Sequence, residues 1–194
     1  MPRAGLTTAA VTEAAAALAD EIGLPLLSMG AVADRLGVKT PSLYKHVGGL
    51  ADLTHRIATL AMTELGDSIR DATQGRAGHD ALTAAADAMR GYITRHPGRY
   101  AATVDVRPTG TDDPLTTANR RTLAAFTAVL HGYHLDPAQE IHALRTLRSM
   151  LHGFIGLEIA GGFQYDTDIG ASFVWMTELL DRGLRSPSLD SAER

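Results

Sequence analysis

The sequence contains no cysteine and no long apolar run, and each absence excludes a class of protein. Without cysteine, the chain forms no disulfide, binds no metal through thiolates and has no thiol nucleophile. No apolar stretch approaches the roughly 20 residues that a membrane-spanning helix needs. The N-terminal segment is interrupted by Glu13, Asp20 and Glu21, which favours an amphipathic helix over a signal peptide. These features predict a cytoplasmic protein with no membrane partner.

Lysine is also scarce, because the chain holds only Lys39 and Lys45. The formal net charge of -4 disfavours a nucleic-acid partner when it is taken alone. Residues 1–60, however, carry equal numbers of basic and acidic side chains, so the excess acid lies further along the chain. A neutral segment still binds DNA when its few cations share one face. Both lysines lie in the segment "GVKTPSLYKHV", residues 37–47, which is basic, hydroxyl-rich and aromatic at once.

Apolar residues recur at helical spacing along most of the chain, and no segment shows the alternation of a strand. The apolar stripes comprise Val11, Ala15, Leu18 and Ile22; Leu53, Ile57 and Leu60; Leu82, Ala86, Met89 and Ile93; Leu123, Phe126, Leu130 and Tyr133; and Ile169, Phe173, Met176 and Leu180. Thr40-Pro41, Asp113-Pro114 and Asp136-Pro137 each place a capping side chain before a proline, which predicts a helix start. The pattern predicts an all-α fold of eight or nine helices.

The segment from Ser28 to Val47 predicts a helix-turn-helix. Ser28 is expected to cap a first short helix that ends at Gly37, where a tight turn requires backbone freedom. Thr40-Pro41 opens a second helix, in which Leu43 and Val47 point inward. Two short helices joined by a glycine-containing turn form this motif, and they need neighbouring helices to bury against.

The face opposite Leu43 and Val47 carries the side chains expected to contact DNA. Lysines bind phosphates, hydroxyl groups donate or accept at base edges, and proline and tyrosine contact thymine methyl groups or the sugar-phosphate wall. The candidate DNA-binding residues are Ser28, Lys39, Thr40, Pro41, Ser42, Tyr44, Lys45 and His46. The alternative is a solvated surface helix that happens to carry two lysines.

The stretch "LSMGAVADRLGVKTPSLYKHVGGLADLTHRIA" resembles the helix-turn-helix of the TetR family of bacterial transcriptional regulators. The resemblance covers about residues 6–60 and implies that the residues from Thr40 to His46, apart from Leu43, correspond to groove and backbone contacts. Two positions depart from the family pattern. Gly30 replaces a polar or basic side chain, and "GGLAD", residues 48–52, lacks a basic residue. Both departures predict a weaker hold on DNA.

The remainder of the chain is expected to form a helical effector-binding and dimerisation domain. "HPGRYAA", residues 96–102, and "LRSMLHGFIGLEIAGGF", residues 147–163, also resemble TetR relatives, more weakly. The predicted division is a DNA-binding domain at 1–50, an effector and dimer domain at 51–185, and a polar tail at 186–194.

Two adjacent C-terminal helices carry surplus apolar surface, which predicts a four-helix interface with a second copy of the chain. The segment from Leu144 to Ile159 is apolar almost all round, and a helix of that kind is expected to be buried on several sides. The candidate interface residues are Leu144, Gly153, Phe173, Met176 and Leu180. The alternative is that they form the core of a monomer.

An effector pocket is expected inside the second domain, because ligand sites are concave and mostly apolar with a few polar groups. The candidates are Met89, Tyr92, Ile93, His96, Tyr100, Phe126, Leu130, Arg148, Leu151 and Phe154. The alternative is that most of them form the core. Their composition favours a small or medium, largely apolar or aromatic ligand.

The sequence predicts no metal site, no cofactor and no enzymatic activity. The eight histidines lack the i, i+4 partner that a zinc-binding helix needs, and no catalytic grouping is evident. The predicted function is a TetR-like regulator, a homodimeric repressor released from near-palindromic double-stranded DNA by a small molecule. Two alternatives remain open at this point. One is a protein of this fold that serves as a ligand-binding or interaction module without DNA binding, and the other is a helical enzyme with a buried pocket.

Overall fold

The computed structural model describes residues 6–186, and helices form all of the regular secondary structure in that range. The nine α-helices found there are α1 (Thr8–Ile22), α2 (Met29–Leu36), α3 (Thr40–Leu43), α4 (Leu50–Thr73), α5 (Gly78–Arg95), α6 (Pro97–Asp105), α7 (Pro114–His131), α8 (Pro137–Ile159) and α9 (Ile169–Arg185). The prediction of an all-α chain with eight or nine helices is confirmed. The predicted polar tail beyond Ser186, and residues 1–5, lie outside the described residues.

Within residues 6–186 none of the helices is long and apolar enough to cross a membrane. The described residues form two units, each built from two stretches of chain. The first unit contains residues 6–67 and 92–122, and the second contains residues 68–91 and 123–186. The division at residue 50 predicted from the sequence is a functional one and stays a prediction. Packing divides the chain elsewhere, since α6 packs against α1 within the first unit.

The core of the first unit is formed by the apolar stripes of its helices, as their spacing predicts. Val11, Leu53 and Ile57 are fully buried in one cluster with apolar residues of α2 and α3. The last residue of the predicted α1 stripe is an exception, because Ile22 is 38% exposed. The helix ends there, since Gly23 leaves the helical conformation at a φ of 86°. The buried stripe of α1 is therefore one turn shorter than predicted.

Helices α1 and α6 approach so closely that one position admits only glycine. A Cβ atom placed on Gly98 would lie 2.0 Å from the carbonyl oxygen of Ala19 and 2.6 Å from the amide nitrogen of Asp20. Real Cβ contacts are never that short, and backbone atoms cannot rotate away as a flexible side chain can. The glycine of the "HPG" motif therefore sets the distance between these two helices.

A buried arginine holds the same region together through carboxylates from two other helices. The Arg99 side chain is only 8% exposed and donates hydrogen bonds to Glu13, Asp20 and Glu64. Burial alone would lower the pKa of Arg99, but the hydrogen bond to Glu13 and the charges of Glu64 and Glu13 outweigh it and raise the pKa above its ordinary value. Removing a buried ion-pair partner is costly, so Arg99 is a structural residue that the sequence alone did not reveal.

In the second unit α8 packs against α9, and each buries one stripe. On α8 the buried residues are Leu147, Leu151 and Ile155, while much of the remaining helix surface is exposed. The expectation that this helix is buried on several sides is therefore not met within one copy of the chain. Its exposed apolar residues include Ile141 and Leu157, at 47% and 52%.

The predicted stripe of α7 is wrong at its first position. Leu123 is 51% exposed, whereas Thr122, Phe126 and Val129 are buried. The buried residues follow one another by four and three positions, so the inward face passes through Thr122. Leu123 lies about 100° further around the helix and faces outward.

Candidate nucleic-acid interface

Helix α2 begins and ends as the sequence predicts. The Ser28 hydroxyl oxygen accepts a hydrogen bond from the amide of Ala31 at 3.2 Å, which caps the helix. Gly37 ends it in the left-handed conformation at a φ of 64°, and the amide of Val38 donates to the carbonyl of Ala33 at 3.0 Å. Because this turn is only three residues long, it fixes the direction in which the next helix leaves.

The second helix of the motif is shorter than predicted and has a different cap. Lys39 occupies the cap position and Thr40 is the first helical residue, so the prediction of Thr40 as the capping residue is wrong. The regular helix α3 covers Thr40–Leu43, and residues 44–46 continue it as a turn. The amides of His46 and Val47 both donate to the carbonyl of Leu43, at 2.8 Å and 3.0 Å. The segment from Thr40 to Val47 therefore continues to turn in a helical direction, although only its first half is regular helix.

The two faces of this segment differ as predicted. Leu43 is fully buried and Val47 is 3% exposed. The other face, which we call the reading face, consists of Lys39, Thr40, Pro41, Ser42, Tyr44, Lys45 and His46. Lys39, Pro41 and Lys45 are exposed, Tyr44 is 57% exposed, and the remaining members are partly buried. It presents two ammonium groups, hydroxyl groups and one aromatic ring, which suit phosphates and base edges.

Two contacts attach the end of the reading face to neighbouring helices. The Thr8 hydroxyl of α1 donates to the carbonyl oxygen of His46 at 3.0 Å. Asp52 of α4 accepts from the amide of Gly48 at 2.8 Å and from Arg56 at 3.0 Å. Although burial opposes it, these hydrogen bonds lower the pKa of Asp52 below its ordinary value. Asp52 therefore serves as an anchor for the turn at residues 48–49, a role that the sequence reading did not assign.

The predicted effector residues divide between the two units. Tyr92, Ile93, His96 and Tyr100 belong to the first unit. The Tyr92 hydroxyl donates to Glu64 at 2.8 Å, and burial together with this carboxylate raises the pKa of Tyr92. His96 lies 3.0 Å from Asp20 in the Arg99 cluster. The polar side-chain atoms of Tyr92 and His96 thus bond to side chains of their own unit.

The other predicted effector residues belong to the second unit, where most are core. Met89, Phe126, Leu130 and Leu151 are at most 9% exposed, and Arg148 is exposed. Phe154 is partly buried in an aromatic cluster with Phe163 and Phe173, at ring-centroid distances of 4.8 Å and 5.2 Å. The core alternative describes the packing of these buried side chains, and their role in ligand binding stays a prediction.

The candidate dimer residues divide between the inside and the outside of the second unit. Phe173, Met176 and Leu180 are 2%, 8% and 6% exposed, so they are core residues of their own subunit and offer little surface to a second copy. Gly153 is exposed and Leu144 is partly exposed. Sequence spacing indicated apolar residues on two faces of α9 but could not show which face meets the core. The structure buries one stripe and leaves a second apolar stripe facing outward beside it. That stripe contains Val174, Trp175 and Leu179.

The capped α2, the three-residue turn and the outward reading face define a helix-turn-helix protein. Comparison with known proteins identifies the family. Residues 82–180 match the family described as Tetracyclin repressor-like, C-terminal domain. The chain is 37% identical over 182 residues to the uncharacterised HTH-type transcriptional regulator Rv0681 of Mycobacterium tuberculosis, which covers 93% of this chain and 83% of that protein. The uncharacterised HTH-type transcriptional regulator YobS of Bacillus subtilis is 33% identical over 172 residues, or 87% of each chain.

The chain therefore belongs to the TetR family of DNA-binding transcriptional regulators. Its fold agrees with a solved structure of a TetR variant from Acinetobacter baumannii AYE in complex with minocycline. That structure superposes with a TM-score of 0.72 at 23% identity, covering 94% of this chain and 100% of the other. The resemblance found in the helix-turn-helix sequence is thus confirmed over most of the chain.

Proposed function

We propose that this TetR-family regulator is a homodimeric repressor whose DNA binding is relieved by a small, largely apolar molecule. The observation that carries the proposal is the reading face, where Lys39, Tyr44 and Lys45 are exposed on a segment anchored by the buried Leu43 and Val47. A reading helix placed in the major groove repeats in a dimer roughly 34–36 Å away or at a multiple of that distance. The operator is therefore near-palindromic.

Dimer formation is supported by the outward faces of α8 and α9. Val174, Trp175 and Leu179 are 54%, 61% and 42% exposed and lie at helical spacing on one side of α9. Apolar residues exposed together in this way mark an interaction surface. Gly153 on α8 has no atom within 4 Å of a Cβ position, so its backbone is open to the close approach of another helix. We therefore assign the proposed interface to Val174, Trp175, Leu179 and Gly153. Phe173, Met176 and Leu180, which the sequence suggested, are core residues.

Relief by a small molecule is supported by the family and by the TetR variant from Acinetobacter baumannii AYE, whose solved structure contains minocycline. A ligand releases DNA only if it binds one conformation of the protein more tightly than another. The predicted ligand for this chain is small, apolar or aromatic, because the candidate pocket residues are mostly apolar. Repression follows when a dimer on the operator blocks access to the promoter.

Selection of bound fragments from the source genome in vitro tests the proposal. We expect recovery of near-palindromic sequences, and a reporter driven by the adjacent promoter should be expressed less when the protein is present. Fragments without a common sequence, recovered only at low salt, would indicate non-specific contact with phosphates. That result would favour the alternative of an interaction module that lacks specific DNA binding, which the net charge and Gly30 favour.

A further inference from the structure

A large cleft opens within the first unit, away from the residues predicted to bind the effector. Its volume is about 1330 Å³, and none of the predicted effector residues lines it. Ligand sites commonly measure roughly 300–1,000 Å³, so the cleft has room for a drug-sized molecule. Its walls come from α1, α4 and the segment that leads into α7.

The walls of the cleft consist mostly of apolar atoms and of hydroxyl groups that already form hydrogen bonds within the protein. Ala9, Ala10, Ala51, Leu60 and Pro114 contribute apolar atoms. Five threonines also line it, but their hydroxyl groups donate to carbonyl or carboxylate oxygens of the protein. Three of these bonds are Thr12 to Thr8, Thr59 to His55 and Thr63 to Thr59, at 2.9, 3.0 and 2.8 Å. These hydroxyl groups therefore do not need a hydrogen-bond acceptor from a ligand.

The charges that line the cleft are compensated in pairs. Asp52 binds the guanidinium of Arg56 at 3.0 Å, and Glu13 binds Arg99. The carboxylate of Asp113 lies 2.9 Å from His55 Nε2, and it also accepts from the amides of Thr109 and Leu115. An ionic ligand would have to compete with these bonds, whereas a neutral ligand leaves all of them intact.

One ring nitrogen in the cleft suits a hydrogen bond from a neutral ligand. The Asp113 carboxylate fixes the proton of His55 on Nε2, because an ionised acceptor needs a donor. In the neutral imidazole the other ring nitrogen, Nδ1, is an acceptor, and it has no hydrogen bond among the described residues. The His55 side chain is 24% exposed and lines the cleft. An N–H or O–H group of a ligand can therefore donate to Nδ1.

We infer that this cleft binds a neutral, largely apolar small molecule that donates one hydrogen bond to His55. The cleft also touches both anchors of the reading face, since Thr8 and Asp52 are among its lining residues. A ligand bound there would bias the position of these anchors and thereby regulate DNA binding, a consequence that rests on the proposed function. Binding itself is independent of DNA.

Two probes with the same aromatic skeleton test the charge and the place of the site. N-phenyl-1-naphthylamine is neutral and carries one N–H group, and 1-anilinonaphthalene-8-sulfonate adds a negative charge to it. Both fluoresce when they leave water, so each can be titrated against the full-length protein. Ala10→Trp fills the cleft from an exposed helical position, and Ala124→Trp makes the same change at an exposed position of α7 outside it.

We expect the wild type to bind one neutral probe per chain and to prefer it to the sulfonate. Ala10→Trp should weaken binding by at least about tenfold, while Ala124→Trp binds as the wild type does. The inference is overturned if the wild type fails to bind the neutral probe, if Ala10→Trp binds it unchanged, or if the sulfonate binds more tightly. A parallel operator titration separates the two proposals. Probe binding without DNA binding contradicts the proposed function alone, and probe binding that leaves operator affinity unchanged contradicts only regulation through this cleft.

Discussion

At the scale of single residues, the structure depends on positions that accept only one type of amino acid. Gly98 is such a position, since any Cβ atom would overlap the backbone of α1 at Ala19. Gly30, in α2, is the contrast. Its nearest neighbour to a Cβ atom would be the Ser28 hydroxyl at 3.9 Å, so the space around it is open. The same residue type is thus required at one position and replaceable at the other.

We predict that Gly98→Ala strongly destabilises the protein because α1 and α6 must separate to admit the methyl group. Overpacking of this kind typically costs about 1–3 kcal/mol, and more where backbone is the obstacle. Gly30→Ala is the control and should be neutral or stabilise by up to about 1 kcal/mol, since alanine is the better helix former. Thermal or urea unfolding of both variants measures the difference. Equal stability of the two would show that the α1–α6 contact is looser than described.

We predict that Asp113 makes the free energy of unfolding depend on pH in the acidic range. Its side chain is 3% exposed, and hydrogen bonds from the amide of Thr109 and from His55 hold the pKa of its carboxyl well below the usual value. As the pH falls below the ordinary aspartate pKa of about 3.9, the unfolded chain takes up the proton first, so stability decreases. The contribution is present above that pH and is lost as the pH falls towards the folded-state pKa.

The comparison of wild type with Asp113→Asn between pH 5 and pH 3 checks this term. We expect the wild type to be the more stable at pH 5 and the difference in unfolding free energy to narrow as the pH falls. Asp112→Asn removes an equal charge from the exposed neighbouring residue and should leave the profile parallel to that of the wild type. A constant difference between wild type and Asp113→Asn would refute the assignment.

At the scale of helices, sequence periodicity predicted where helices occur better than it predicted which helix face is buried and against what. The stripes of α1, α4, α5 and α9 identified buried residues because one face of a helix repeats every three or four positions. Periodicity fails where two apolar faces coexist, as on α9, because spacing alone does not say which face meets the core. It also cannot reveal a residue such as Arg99, whose partners lie on α1 and α4.

We predict that Trp175→Glu combined with Leu179→Glu converts the proposed dimer to a folded monomer. Both side chains are exposed in a single copy, so the charges are tolerated by the subunit but would be buried without partners in the interface. Tyr165→Glu, at a residue that is 92% exposed, is the control and should remain dimeric. Sedimentation measures the assembly. A dimeric double variant would place the interface elsewhere, whereas Phe173→Glu should instead lower the melting temperature because it disrupts the core.

At the scale of the whole molecule, the reading face and the fold class could be predicted because they depend on contacts close in sequence. Leu43, Val47 and the Ser28 cap belong to a segment of 20 residues, and its pattern alone specified the motif. The cleft could not be predicted in this way, since its walls combine residues near positions 10, 55 and 110. The effector and dimer assignments depend on such distant contacts, so their sequence predictions mixed core with surface.

The affinity of the protein for its selected operator at fixed salt tests the central claim most directly. Tyr44→Ala removes a groove contact and Lys45→Ala a phosphate contact, each of roughly 1–3 kcal/mol, so the double variant should bind at least about 30-fold more weakly. Lys45→Ala alone should also reduce the salt dependence of binding by about one counterion. Arg76→Ala, which removes a positive charge from an exposed position outside the motif, should bind as the wild type does. Wild-type affinity in a correctly folded double variant would contradict the assignment of this face to DNA.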